Sequence, residues 1–299
     1  MTEKPKVKPK TFKMQNLDEA KKTTGTSFII YGPSASRKTR TLGSLGTGSF
    51  TLHLSLDGGS NSATDSMRAL GIEGAEHRVT KPTSLSELHD IIIALHTVTG
   101  YKDKVDNIVI DNFIVVVSWI KEYVSNTPKY KNDTLLLDDV FSNDTSKNAV
   151  GSKKQAWWGE VQNLTRQFVS DLLTLKSSYN IFLLASEVSA LDVAGVPITT
   201  VNVAGPASVA PVVSLFDHCY RTSFKEGDFD SIDHRATFFN ISTYTDQSTS
   251  MQYFCKNRGI NNMEVLKSNM MPADLHIVLT EEMGYIYKAN RPKPEPATK

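Results

Sequence analysis

Hydrophobic positions along the chain fall into two alternating rhythms. The runs Phe28-Ile29-Ile30-Tyr31, Asn107-Ile108-Val109-Ile110-Asp111 and Ile181-Phe182-Leu183-Leu184-Ala185 have the short, uninterrupted character of strands buried on both faces. Phe50 to Leu56 instead alternates apolar with polar residues, the period of a strand, and closes on Asp57-Gly58-Gly59. Between these runs, Leu88, Ile91, Ile92 and Leu95 recur at helical spacing behind a Ser84-to-Glu87 capping box. Gln155 to Ser178 repeats the helical period with Trp158, Val161, Leu164, Phe168, Leu172 and Leu175 on one side. Strands alternating with helices predict an α/β fold with a mostly parallel central sheet flanked by helices. Further on, Phe238 to Tyr244 and Met251 to Cys255, around the turn-rich Thr245 to Ser250, predict antiparallel strands toward the C-terminus.

The segments outside this rhythm set the expected organisation. Residues 1–24 carry seven lysines (Lys4, Lys6, Lys8, Lys10, Lys13, Lys21 and Lys22) and few apolar side chains, so they are expected to form a mobile basic arm. Such an arm either touches phosphate backbones through charge or is a solvated tail without function. Residues 25–288 form the expected core, interrupted by a polar surface excursion over about 125–155. The stretch after Glu187, as far as Pro211, is rich in Gly, Ala, Val and Pro and reads as a loop or hairpin. Residues 289–299, with Pro292, Pro294 and Pro296, read as an extended tail.

Composition narrows the classes. A hydrophobic fraction of 39% and a charged fraction of 22% over 299 residues are those of an ordinary globular protein with a sizeable core. No apolar stretch is long enough to cross a bilayer and the N-terminus lacks an apolar signal region, so a cytoplasmic protein without membrane partners is expected. Two distant cysteines, Cys219 and Cys255, offer neither a disulfide framework nor a zinc cluster and read as reduced core thiols. With a net charge of +1, contact with nucleic acid must come from local patches.

The candidate chemistry starts where the first apolar run ends. Gly32-Pro33-Ser34-Ala35-Ser36-Arg37-Lys38-Thr39 has the spacing of a phosphate-binding P-loop, G-x-x-x-x-G-K-[ST], with Arg37 in place of the second glycine. In such a loop successive backbone N–H groups wrap a phosphate, the lysine reaches the β- and γ-phosphates, and the Thr hydroxyl holds Mg²⁺. Residues 32–40, Arg40 included, are therefore the expected nucleotide-binding segment. Arg37, at the start of the following helix, is expected to keep a negative φ with its side chain outward. Asp111, at the end of a buried strand, is the expected second Mg²⁺ ligand. Asp57 is either a water-activating base at a strand end or only part of a turn. Ser186 ends another parallel strand on the same edge and can sense the γ-phosphate. Trp157 and Trp158 read more readily as core than as base-stacking groups, and His218 as a structural histidine.

Taken in order, these pieces resemble a known family. A P-loop after the first strand, an acid-Gly-Gly after the second, an Asp-ended strand, a tryptophan-bearing helix, a strand ending in Ser-Glu, Phe216-Asp217-His218-Cys219-Tyr220-Arg221 and then Lys256-Asn257-Arg258-Gly259 are similar to the phage-encoded RecA-like nucleotide-binding proteins of the single-strand annealing type. The resemblance covers about residues 26–260 and rests on order and spacing. It implies a RecA-like ATPase core binding ATP and Mg²⁺, single-stranded DNA as partner, homo-oligomeric rings or filaments, and a role in phage recombination or replication in the host cytoplasm. Lys38 and Thr39 then fill the Walker A roles, Asp111 the Walker B role and Asp57 that of the catalytic acid. Lys256 and Arg258 stand as a Lys-x-Arg finger offered to a neighbouring subunit's ATP. Arg37, Ala35 and the short side chain of Asp57 depart from the family pattern. They leave open a hydrolysis-deficient RecA-fold scaffold that docks replication or recombination proteins.

Overall fold

In the computed structural model, the first apolar run is the strand β1 (Ser27–Gly32), with all six residues buried. The structure describes residues 24–290 except 35, 46–47, 70–75, 135, 138–150, 192–194, 225–236, 247–249, 259 and 261. The basic arm as far as residue 23, residues 135 and 138–150 of the polar excursion and the tail from residue 291 lie outside the described residues.

The remaining strands, in chain order, are β2 (Phe50–Ser55), β3 (Glu76–Thr80), β4 (Asn107–Asp111), β5 (Asn180–Leu191), β6 (Pro197–Val201), β7 (His218–Phe224), β8 (Thr237–Asn240), β9 (Tyr244–Thr245), β10 (Gln252–Tyr253) and β11 (Met270–Pro272). They order as β3-β2-β4-β5-β1-β7-β8-β11. The six from β3 to β7 are mutually parallel, and β8 and β11 add antiparallel strands at one side. The far half of β5 pairs antiparallel with β6, and β10 joins β6 to β9.

Helices occupy the connections: α1 (Lys38–Thr41), α2 (Asn61–Ala69), α3 (Leu85–Thr97), α4 (Thr99–Lys104), α5 (Phe113–Ser125), α6 (Gly151–Thr174), α7 (Pro206–Leu215), α8 (Met263–Ser268) and α9 (Leu275–Ile277). Ser84 caps α3 as expected, its Oγ accepting from Glu87 N, while Glu87 Oε2 reaches one residue further back and accepts from Thr83 N at 2.8 Å. Of the loop or hairpin expected after Glu187, the hairpin forms, as β5 with β6, and α7 follows it. The antiparallel pairing expected between the runs Phe238 to Tyr244 and Met251 to Cys255 forms at its turn end, where β9 pairs with β10, while the start of the first run, as β8, joins the main sheet and β10 also pairs with β6.

The period of two sorts each buried strand between two cores. Ile29 and Tyr31 of β1, Ile108 and Ile110 of β4, and Ile181 and Leu183 of β5 pack with α3, α5, α6 and α7. Phe28 and Ile30, Val109, and Phe182 and Leu184 point the other way, toward Leu42, Leu45, Ala63 and the C-terminal Leu275, Val278 and Leu279. Three layers result, which is why these strands are apolar on both faces. Trp157 is fully buried in the first core, and Trp158 packs edge-on against it at 5.0 Å.

At the N-terminal edge of the parallel strands, a polar ladder replaces apolar packing. Asn180 Nδ2 donates to Asn107 Oδ1 at 2.9 Å, and Asn107 Nδ2 donates to Thr51 Oγ1 at 3.1 Å. Asp106 there accepts from Phe50 N, Lys288 N and the Tyr285 hydroxyl, while Lys288 Nζ donates to the carbonyls of Val105 and Ser178. Ser34, Lys38, Thr39, Asp57, Asp111 and Ser186 lie at the opposite edge.

Candidate functional site

Gly32 at the end of β1 pairs with Ser186 of β5, and Asp111 at the end of β4 pairs with Leu184 of β5 and with Ser55 at the end of β2, so these positions lie within two residues of one another on one side of the sheet. Above them opens a cavity of about 440 Å³ lined by Ser34, Ser36, Arg37, Lys38, Thr39, Arg40, Asp57, Ser62, Asp111, Asn112 and Ser186. One edge of a parallel sheet thus collects Ser34, Ser36 to Arg40, Asp57, Asp111 and Ser186, and Ala35 of the expected loop lies outside the described residues.

Gly32 is required by space. A Cβ there would meet Thr222 Oγ1 at 2.3 Å and Ser36 Oγ at 2.9 Å. The loop folds back against β7 instead, with Ser36 Oγ and Thr222 Oγ1 2.7 Å apart and Thr222 Oγ1 donating to Tyr31 O. Arg37 precedes α1 with φ 61° and ψ 24°, in the left-handed region. The expected negative φ is therefore corrected: the place where the motif carries its second glycine demands a positive φ, and Arg37 adopts it at a steric cost that glycine avoids.

Lys38 Nζ donates to Gly32 O at 3.0 Å, Pro33 O at 2.9 Å and Ser36 Oγ at 3.4 Å, which folds the ammonium over the loop. Burial lowers its pKa, while the carboxylates of Asp111, Glu187 and Asp57 act in the opposite direction. Thr39 Oγ1 donates to Asp111 Oδ2 at 2.6 Å, joining the first turn of α1 to the end of β4. Asn112, next along and following a cis peptide bond, caps α5 by accepting from Ile114 N.

Asp57 lies on the rim, exposed, with Oδ1 accepting from Gly59 N at 2.9 Å, so it is a turn residue that also faces the cavity. Ser186 Oγ accepts from Asn202 Nδ2 at 3.4 Å. Beside it Glu187 accepts from Arg221 Nε at 3.0 Å, and the Arg221 guanidinium lies 4.0 Å from the centre of the Tyr253 ring.

Lys256 and Arg258 stand apart from this cavity. The Lys256 ammonium donates to Val213 O at 3.2 Å, Ser214 O at 3.0 Å and Phe216 O at 2.5 Å, where it closes the C-terminal end of α7. The two cations of the expected Lys-x-Arg finger are not presented together: residue 256 forms an isolated bridge with Cys219, and of the two only Arg258 is exposed. His218 is structural, stacked on Phe28 at 4.6 Å with Nδ1 accepting from Arg258 N. Both cysteines are free and buried.

Sequence reading passed over His53 and His77. The alternation of β2 suggested a polar face for Thr51, His53 and Ser55, yet all three are buried. His53 Nε2 lies 3.4 Å from Asp111 Oδ2, and His53 Nδ1 lies 3.1 Å from His77 Nε2. Burial, with His53 as neighbour, pushes His77 down to about 4. The alternation of β2 marks His53 as sharing a face with Thr51 and Ser55, but nothing in the sequence signals its place beside Asp111.

Among the described residues no group of three or more His, Cys, Asp or Glu side chains is arranged to hold a metal ion. Among them, too, no helix is long and apolar enough to cross a membrane. The fold and site thus define an α/β protein with a mostly parallel mixed sheet and a polar cavity at its C-terminal edge. Comparison of the chain with protein-family models and with curated proteins finds no match.

Proposed function

We propose that the cavity binds a nucleoside triphosphate with Mg²⁺, and that the protein is a RecA-like ATPase acting on single-stranded DNA in strand annealing or recombination. The observation that carries this reading is the Thr39 hydroxyl on Asp111 Oδ2 at 2.6 Å, beside a half-buried lysine, at the mouth of a parallel sheet. A hydroxyl and a carboxylate supply too few ligands for an all-protein metal cage. They suit Mg²⁺, which takes its other ligands from phosphates and water. Bound there, Mg²⁺ would neutralise charge on the phosphates. Lys38 would exchange its loop carbonyls for phosphate oxygens, the backbone of residues 32–39 would cradle the chain of phosphates, and Asp57 on the rim would orient the attacking water.

The DNA and oligomer parts of the proposal rest on the resemblance in element order. The β5–β6 hairpin, continuing from Ser186 beyond the sheet edge, is the element that would couple the cavity to a bound strand. Arg258, exposed, is the cation left to reach a neighbouring subunit. Phage recombination in the host cytoplasm is the setting that this resemblance implies.

Lys38→Ala is expected to abolish ATP binding, measured by calorimetry, while the circular dichroism spectrum stays that of the parent. ATP affinity unchanged in that variant would remove the phosphate reading. Steady-state hydrolysis measured with and without single-stranded DNA, over a series of protein concentrations, tests the rest. Turnover rising with DNA and faster than linearly with protein is expected.

One observation favours a second reading, a hydrolysis-deficient scaffold that docks replication or recombination proteins. Arg37 lines the cavity where the P-loop motif has glycine. Tight ATP binding without turnover under any of these conditions would select it.

A further inference from the structure

Behind Asp111 lies a buried group that the proposed binding mode does not use. His53 is fully buried on β2, and its Nε2 lacks a hydrogen-bond partner, the kind of orphan that folded proteins rarely leave. That nitrogen faces Asp111 Oδ2 at 3.4 Å, beyond a good hydrogen bond, while the Thr39 hydroxyl holds the same oxygen at 2.6 Å.

We propose that His53 is a positioning residue for Asp111: its Nε2–H is the second donor facing Oδ2, and it holds the carboxylate in place when Thr39 turns a lone pair of its oxygen toward a bound ion. This rests on the Mg²⁺·nucleotide reading above. The tautomer follows from the chain of contacts. A carboxylate only accepts, so His53 Nε2 carries the proton and His53 Nδ1 must accept. The donor to Nδ1 is then His77 Nε2–H, 3.1 Å away on the neighbouring strand β3. The rings meet nearly edge-on, at 79°, which suits an in-plane N–H of one meeting the lone pair of the other. His77 therefore fixes the tautomer of His53, and His53 fixes the orientation of Asp111. This is the arrangement by which residues one layer behind a metal ligand orient it.

The experiment is calorimetric titration of a non-hydrolysable ATP analogue with and without Mg²⁺, on the parent protein and on His53→Leu, His53→Gln and His77→Phe. In His53→Leu, the gain in affinity that Mg²⁺ gives the parent is expected to fall about tenfold or more, with metal-free affinity retained. His53→Gln, whose amide N–H reaches to about the place of Nε2, should recover most of it. His77→Phe leaves the buried ring in place and frees its tautomer, so a loss of a few-fold is expected; it decides the matter if His53→Leu does not fold. A Mg²⁺-dependent gain equal to the parent's in both His53→Leu and His77→Phe would overturn the proposal while leaving the nucleotide site intact. No Mg²⁺ effect in the parent itself would overturn both.

Discussion

Arg37 compresses the residue-scale argument into one torsion angle. A side chain at φ 61° costs about 1–2 kcal/mol relative to ordinary helical backbone, and glycine recovers part of this while adding flexibility to the unfolded chain. Arg37→Gly is therefore expected to stabilise the fold by about 1 kcal/mol, seen as a higher urea midpoint at unchanged slope. The same variant probes chemistry. Faster ATP hydrolysis would mark the present loop as impaired, whereas a loss would show that the guanidinium takes part. The spacing of Gly32, Lys38 and Thr39 was readable from the chain because a P-loop is local, eight consecutive residues between a strand and a helix. The sign of φ at Arg37 was not, since an Arg side chain carries no mark of a left-handed backbone. His53 was unreadable for a related reason: its neighbours Asp111 and His77 come from two other strands.

At the scale of elements, Lys256 shows how a motif can be legible and its use still wrong-footed by packing. Lysine, one residue, then arginine after a strand suggested a pair of outward cations, but β10 ends at Tyr253 and the chain crosses the last turn of α7. Unsatisfied carbonyls at a helix C-terminus attract a cation, and three of them hold this ammonium. Lys256→Met should consequently lower stability by about 1–2 kcal/mol by chemical denaturation. Arg258→Ala should leave stability unchanged, and if Arg258 reaches a neighbour's nucleotide it should lower DNA-stimulated hydrolysis. Equal stability losses in the two variants would contradict the division of roles. Elements with strong local periodicity, such as α3 with its Ser84 cap, were visible beforehand. The short elements α2 and β3 were not, because β3 is a largely exposed edge strand without an apolar run.

For the molecule as a whole, burial of neutral histidine makes stability depend on pH. Burial pushes His218 down to about 4, with the charge of Asp217 opposing it, against about 6.5 in the unfolded chain. Between those values the unfolded state binds the proton and the folded state does not, so stability falls as pH drops from about 6.5 towards 4. At full development this group contributes on the order of 3 kcal/mol, and His77 acts in the same direction. Urea midpoints should therefore fall from pH 7 to pH 5, and the fall should be smaller in His218→Gln. A slope unchanged by that substitution would place the effect elsewhere.

Local chemistry in the chain determined the alternation of strand and helix, the doubly buried strands, the Ser84 cap and the loop from Gly32 to Thr39, because each depends on residues close in sequence. Contacts between distant segments decided the rest. Parallel register brought Ser186 level with Gly32, and Asp111 within reach of Thr39 across 72 positions. Packing gave Lys256 to the end of α7 and placed His53 behind Asp111. Such pairings depend on which strands lie side by side, and strand order is set by the burial of both sheet faces at once, a property of the whole chain that no single stretch of it carries.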